Sequence, residues 1–304
     1  MFPGACYQRS LTLASGIGLM LALAPCALAA PRSEPGLSAA QVAALAKRIP
    51  PRPQHALTGS EFVAYIRKMD ARQREQAILD QILAGNLPGF LRSLVAVRLA
   101  YQSPGGRSSA ATVFVMPEYL AVGSDKDFLR IPMNLHTALA VAGQLGFVLP
   151  TRKIVDAIYT ESSYHFTPEP MQAGPQMRST EYYQLHNAMI ERQSRARNIP
   201  LGALVSGDKK DVVLSSRLAH NPGQIAIYGW HRGAGAPIQP LSTVHGANYA
   251  DYSHGIRLVS ETAVVDGQPK SIYEILRDPA LAKVLSDEGP IPNPWSLFAF
   301  NSGR

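Results

Sequence analysis

An apolar stretch from Leu11 to Leu28 follows a short opening segment whose only charge is Arg9, and Ala27-Leu28-Ala29 closes it. A positive start, an apolar core and a small-x-small end are the three parts of a secretory signal peptide. A membrane anchor needs about 20 apolar residues, and Gly16, Gly18 and Pro25 interrupt this stretch, so removal of residues 1–29 is expected. Leu23-Ala24-Pro25-Cys26 has the outline of a lipoprotein box, which the proline disfavours. Both cysteines, Cys6 and Cys26, fall inside the leader. The mature chain must therefore fold without a disulfide, in a periplasmic or extracellular compartment that would permit one. It also lacks a thiol nucleophile, a Cys-ligated zinc site and a redox pair.

About 275 residues remain, enough for one sizeable core or two small domains. With 46% hydrophobic and 17% charged residues, the chain falls among ordered globular proteins and not disordered ones. Loss of Arg9 leaves 28 basic against 22 acidic residues, a formal charge of +6. That balance suits anionic surroundings such as an envelope polymer. The basic residues are scattered and form no stripe interleaved with aromatics, so no nucleic-acid partner is expected. No transmembrane segment is expected after processing.

Residues 30–93 read as a helical N-terminal subdomain. Ser38 caps Ala39 to Arg48, Pro50-Pro51-Arg52-Pro53 forces a break, Ser60 opens a helix to Met69, and Asp70 caps the next, which Gly85-Asn86 ends. Residues 94–304 read as an α+β main domain with a mixed or antiparallel sheet and flanking helices. Val95 to Tyr101 and Ala111 to Met116 predict a hairpin around Ser103 to Arg107. Helices are expected over Met133–Leu145, Thr151–Thr160, Thr180–Asn198 and Ser271–Leu285. Strands are expected at Asp211–Ser215, Gln224–Tyr228, Gly255–Val259 and Thr262–Val265, with a proline- and aromatic-rich tail from Gly289 packing across the surface. Segregated helices and hairpins favour α+β over doubly wound α/β. The chain has no P-loop, Gly-x-Gly-x-x-Gly, His-Glu-x-x-His or Gly-x-Ser-x-Gly pattern.

Reactive side chains crowd between Tyr228 and Gly255, where His231, His245 and His254 stand beside Asp251, Ser253, Tyr249 and Tyr252. Two chemistries suit that set. Asp251, Ser253 and a histidine could perform acyl transfer, with Ser253 served by His245 or His231, because adjacent side chains such as Ser253 and His254 diverge. Alternatively His231, His245, Asp251 and His254 would ligate a divalent metal such as zinc and activate a water. Tyr228, Trp230 and Tyr249 are candidate substrate contacts, and Lys209 is placed to hold an anion at a strand end. His136 and His186 are expected to be structural. The expected function is an exported hydrolase acting on an amide or ester bond of a peptidoglycan-like envelope polymer, since a glycosidase usually presents two facing carboxylates. The alternative is a non-catalytic envelope protein that binds a glycan or peptide.

Overall fold

A computed structural model describes residues 36–102, 106 and 108–291. The expected signal peptide at 1–29, most of the expected hairpin turn at 103–107 and the aromatic tail from 292 lie outside the described residues.

Three capping boxes start the first three helices of the described residues, each pairing an N-cap side chain with a glutamine or glutamate three residues on. Ser38 and Gln41 cap α1 (Ala39–Leu45), and Asp70 with Gln73 caps α3 (Ala71–Leu83). Thr58, and not the expected Ser60, caps α2 (Gly59–Ile66), because Glu61 closes its box. Phe62, Val63 and Ile66 of α2 and Ala77, Ile78 and Ile82 of α3 are buried. They join one core with Val97, Val113 and Val265 from the strands described below. The N-terminal helices thus form a layer on the main core, and the described residues fall within one compact unit.

The expected hairpin is present: β1 (Val95–Gln102) pairs antiparallel with β2 (Ser108–Val115). A short ribbon follows, β3 (Ala121–Ser124) with β4 (Asp127–Arg130). Asn134 caps α4 (Leu135–Leu145), which ends at the left-handed Gly146 and leads to β5 (Phe147–Val148). Thr151 caps α5 (Arg152–Glu161). β6 (Tyr164–His165) precedes α6 (Thr180–Ala196) and pairs in parallel with β7 (Val205–Ser206).

The last third builds a second sheet from β8 (Lys210–Val212), β9 (Gln224–His231), β10 (Pro237–Gly246) and β11 (His254–Gly255), ordered β10-β9-β8-β11. Prolines at 237 and 240 argue against β10 as a strand, but it is an edge with two register shifts, where a missing N–H is tolerated. β12 (Val259–Val265) and β13 (Gln268–Ser271) return to the first sheet, ordered β1-β2-β12-β13, with β5 also on β12. The helix expected over 271–285 is two, α7 (Ile272–Arg277) and α8 (Ala282–Leu285), because Pro279 prevents continuation. The architecture is α+β. Among the described residues no helix is long and apolar enough to cross a membrane.

One register detail positions the site. β8 sets Lys210 beside His254 and Gly229, and Asp211 beside Gly255 and Tyr228. Successive side chains on a strand point to opposite faces. His254 and Lys210 therefore share one face, and Asp211 and Tyr228 share the other.

Candidate functional site

The loop from Ala247 to Ser253 returns the chain from β10 to β11 and folds around one carboxylate. Asp251 Oδ1 accepts from the Ser253 backbone N–H at 2.8 Å and from its hydroxyl at 2.6 Å. Oδ2 accepts from the Tyr249 hydroxyl at 3.0 Å. This turn presents His254, whose side chain is completely buried and, among the described residues, has no partner on either ring nitrogen. The His245 and Tyr249 rings lie 6.5 and 5.7 Å from it, centroid to centroid. They stack on each other at 4.2 Å, nearly parallel, and being half-buried they form the outer layer over His254. The exposed Arg178 places its guanidinium 5.4 Å from the Tyr249 ring.

Burial sets the protonation states. It pushes His254 down to about 4; Asp251 opposes the shift, and Lys210 and His245 add to it. Burial alone would raise Asp251, but His254, the two Ser253 hydrogen bonds and Lys210 outweigh it and hold the carboxyl below its usual range. Tyr249 is pushed up to about 12 by burial and then by Asp251, so it remains a donor. Burial lowers Lys210, against the pull of Asp251. At neutral pH the cluster holds a carboxylate, an ammonium and a neutral imidazole with an available lone pair.

His231 belongs elsewhere. Gly229 and Trp230 have φ of 108° and 57°, and a positive φ is uncommon for a residue as large as tryptophan. This kink turns His231 toward α5, where its Nε2 lies 3.0 Å from Asp156 Oδ1; the Tyr228 hydroxyl donates to the same oxygen at 2.8 Å. The Tyr159 ring lies 4.7 Å from the imidazole. The structure thus brings together His245, Tyr249, Asp251, Ser253 and His254, and sets His231 and Tyr228 apart. Among the described residues no group of three or more His, Cys, Asp or Glu side chains is disposed to hold a metal ion.

Lys209 is enclosed. Its ammonium donates to the Tyr252 carbonyl at 2.7 Å and lies 3.2 Å from Nδ1 of the buried His186. Behind it runs a buried ionic layer in which Arg130 meets Glu118 at 3.1 Å, Arg257 lies over the Tyr119 ring, and both Asp208 oxygens lack a partner among the described residues. Burial and the Glu118 carboxylate push Asp208 up, and burial pushes Lys209 down. Trp230 is also buried, packed on His186 and Tyr252, with the Lys210 ammonium 5.3 Å from its ring.

Three residues that sequence reasoning missed complete the picture: Lys210, Arg178 and Asp156. Strand alternation in Lys209-Lys210-Asp211 separates the two lysines, but only the pairing tells which face is open. Arg178 and Asp156 arrive from distant elements and carry no local signal. The glycines after His245 and His254 do not take the left-handed conformation. A Cβ at Gly255 would stand 2.6 Å from the Tyr119 ring, so this glycine admits a packed side chain. Compared with family models, curated proteins and solved structures, the chain shows no match.

Proposed function

We propose that the mature chain is an exported hydrolase that cleaves an amide or ester bond of an envelope polymer, with His254 as the general base. The observation that carries this reading is the buried, neutral imidazole with both nitrogens unpartnered. An unsatisfied buried polar group costs about 1–3 kcal/mol, and in native proteins such a group calls for an explanation, such as a bound water or ion or a catalytic role. Here it sits beside an oriented carboxylate, a second imidazole and an ammonium.

In this mechanism a substrate displaces the stacked His245–Tyr249 pair and brings its carbonyl toward Lys210. His254 takes a proton from water, whose oxygen adds to the carbonyl carbon, and Lys210 offsets the charge that develops on the carbonyl oxygen. Asp251 stabilises the imidazolium. When the bond to the leaving nitrogen or oxygen breaks, His254 returns the proton it took from water to that group and is neutral again. Ser253 donates its hydroxyl to Asp251 and so positions the carboxylate, which favours water over serine as the attacking group.

The test is incubation of the mature protein with purified cell-wall polymer, assayed for newly released amino, hydroxyl and carboxyl ends. Release by the native protein and its loss in a folded His254→Ala variant are expected. Full activity in that variant would remove His254 from the mechanism. No release by the native protein would favour the second reading, a glycan- or peptide-binding protein, which the complete burial of Ser253 and His254 supports. The unpartnered nitrogens also suit a divalent ion such as zinc as cofactor. Elemental mass spectrometry on protein purified without chelator separates these mechanisms: near-stoichiometric zinc, lost in His245→Ala, would replace the general base with a metal-bound water.

A further inference from the structure

We propose that the cavity between α3 and α4 is the subsite that binds a carboxylate-bearing segment of the substrate, an inference that rests on the hydrolase reading. The cavity is about 480 Å³ and is lined in part by Arg72, Glu75, Asn134, His136, Arg178 and Asn248. Ligand pockets commonly span about 300–1,000 Å³.

Two observations tie it to the His254 cluster. Arg178 lines the cavity while its guanidinium lies on the Tyr249 ring. Asn248, also in the lining, is the chain neighbour of Tyr249. A ligand seated in the cavity therefore ends beside the aromatic pair that covers His254. Two other cavities, of about 390 and 330 Å³, are lined by no residue of the 245–254 segment.

Charge then selects the ligand. Arg72 and Arg178 are exposed, and among the described residues neither guanidinium is held in an ion pair. The one lining acid, Glu75, is turned to the protein: both its oxygens accept from the Asn134 backbone N–H at 3.1 Å. Burial also raises its pKa, which weakens its competition for an incoming anion. The cavity thus offers two free guanidiniums beside an imidazole and amide side chains. Guanidinium forks match the two oxygens of a carboxylate.

The experiment titrates the isotopically labelled mature protein with N-acetyl-alanyl-alanine, with its C-terminal carboxamide and with inorganic phosphate at fixed ionic strength, read by NMR. The free acid is expected to shift signals of Arg72, Asn134 and Asn248 and to bind at least about tenfold more tightly than the carboxamide, one charge-assisted contact being worth roughly that factor. Arg178→Gln and Arg72→Gln, both exposed changes, should each weaken the acid about tenfold and leave the thermal transition unmoved. Equal binding of acid and amide, no binding of the acid, a preference for phosphate, or shifts confined to other regions would overturn the proposal. Hydrolysis that persists while acid and amide bind alike removes the subsite alone. Binding that discriminates as expected in a protein that hydrolyses nothing removes the hydrolase reading alone.

Discussion

His254 and His231 lie on β11 and β9 of one sheet, and both are buried with an acid nearby. They differ in what their nitrogens meet. His231 bonds Asp156, which the Tyr228 hydroxyl also bonds, so the three side chains tie β9 to α5. Neither ring nitrogen of His254 has a partner among the described residues, while the neighbouring Asp251 takes three donors from Ser253 and Tyr249. Burial and proximity to an acid are shared by a latch and a candidate base; the unfilled hydrogen-bonding capacity separates them.

The largest expected effect breaks the comparison if it fails. His254→Ala should lower kcat/KM by about 10²–10⁴, the range of a general base, without loss of any hydrogen bond. His231→Ala should leave kcat/KM within a few-fold while lowering unfolding free energy by about 1–3 kcal/mol, since it removes a buried ring packed on Tyr159 together with one donor to Asp156. Both are read from initial rates and urea midpoints. The reverse pattern would move the site to Asp156.

A second effect concerns protons. His254 is held near 4 in the folded chain, below its ordinary 6.5, so the unfolded chain binds the extra proton first. Stability therefore rises with pH between about 4 and 6.5 and is lost as pH falls through that window. Burial of His186, pushed down to about 2, adds in the same direction and extends it lower. The catalytic limb should fall only near pH 4, where the base protonates. Urea midpoints at pH 4.5 and 6.5 should differ less in His254→Ala than in the native protein. An acid limb near 6.5 instead would assign the base to a more exposed histidine.

Ser253→Ala should have a smaller effect. It deletes the 2.6 Å hydrogen bond to Asp251 but leaves the backbone donor and Tyr249 in place. A loss of about 1–3 kcal/mol of stability is expected, with most activity retained. Abolished activity in a folded Ser253→Ala protein would restore serine as the nucleophile.

Much of the fold was legible because caps, turns and alternation are local. Ser38, Asp70 and Thr151 cap their helices, and Asp266-Gly267, both at positive φ, is the kind of two-residue turn that joins β12 to β13. β10 was hidden because edge position, which excuses its prolines, is a property of the sheet. The site was half legible: the sequence brings 245–254 together along one loop, whereas the separation of His231 depends on positive φ at Gly229 and Trp230. Gly229 admits this conformation freely, but Trp230 is none of the Gly, Asn or Asp residues that commonly take it, so its type gave no warning. Lys209 and Lys210 are indistinguishable by type, and only the register of β8 assigns one to the buried layer and the other to the His254 face.

The smallest prediction sharpens the latch. Tyr228→Phe removes one of two donors from Asp156 Oδ1 and keeps the ring that packs edge-on to His231 at 5.6 Å. The Asp156 side chain is 41% exposed, so water can replace the lost hydroxyl. The cost should therefore stay near the net worth of an ordinary hydrogen bond, about 0.5–1.5 kcal/mol, and activity should not change. A double-mutant cycle with His231→Ala isolates the coupling, because both donors share one acceptor atom. A non-zero coupling term confirms that the pair acts through Asp156, whereas strict additivity would mean that each holds β9 against α5 independently, and the latch would reduce to two unrelated contacts.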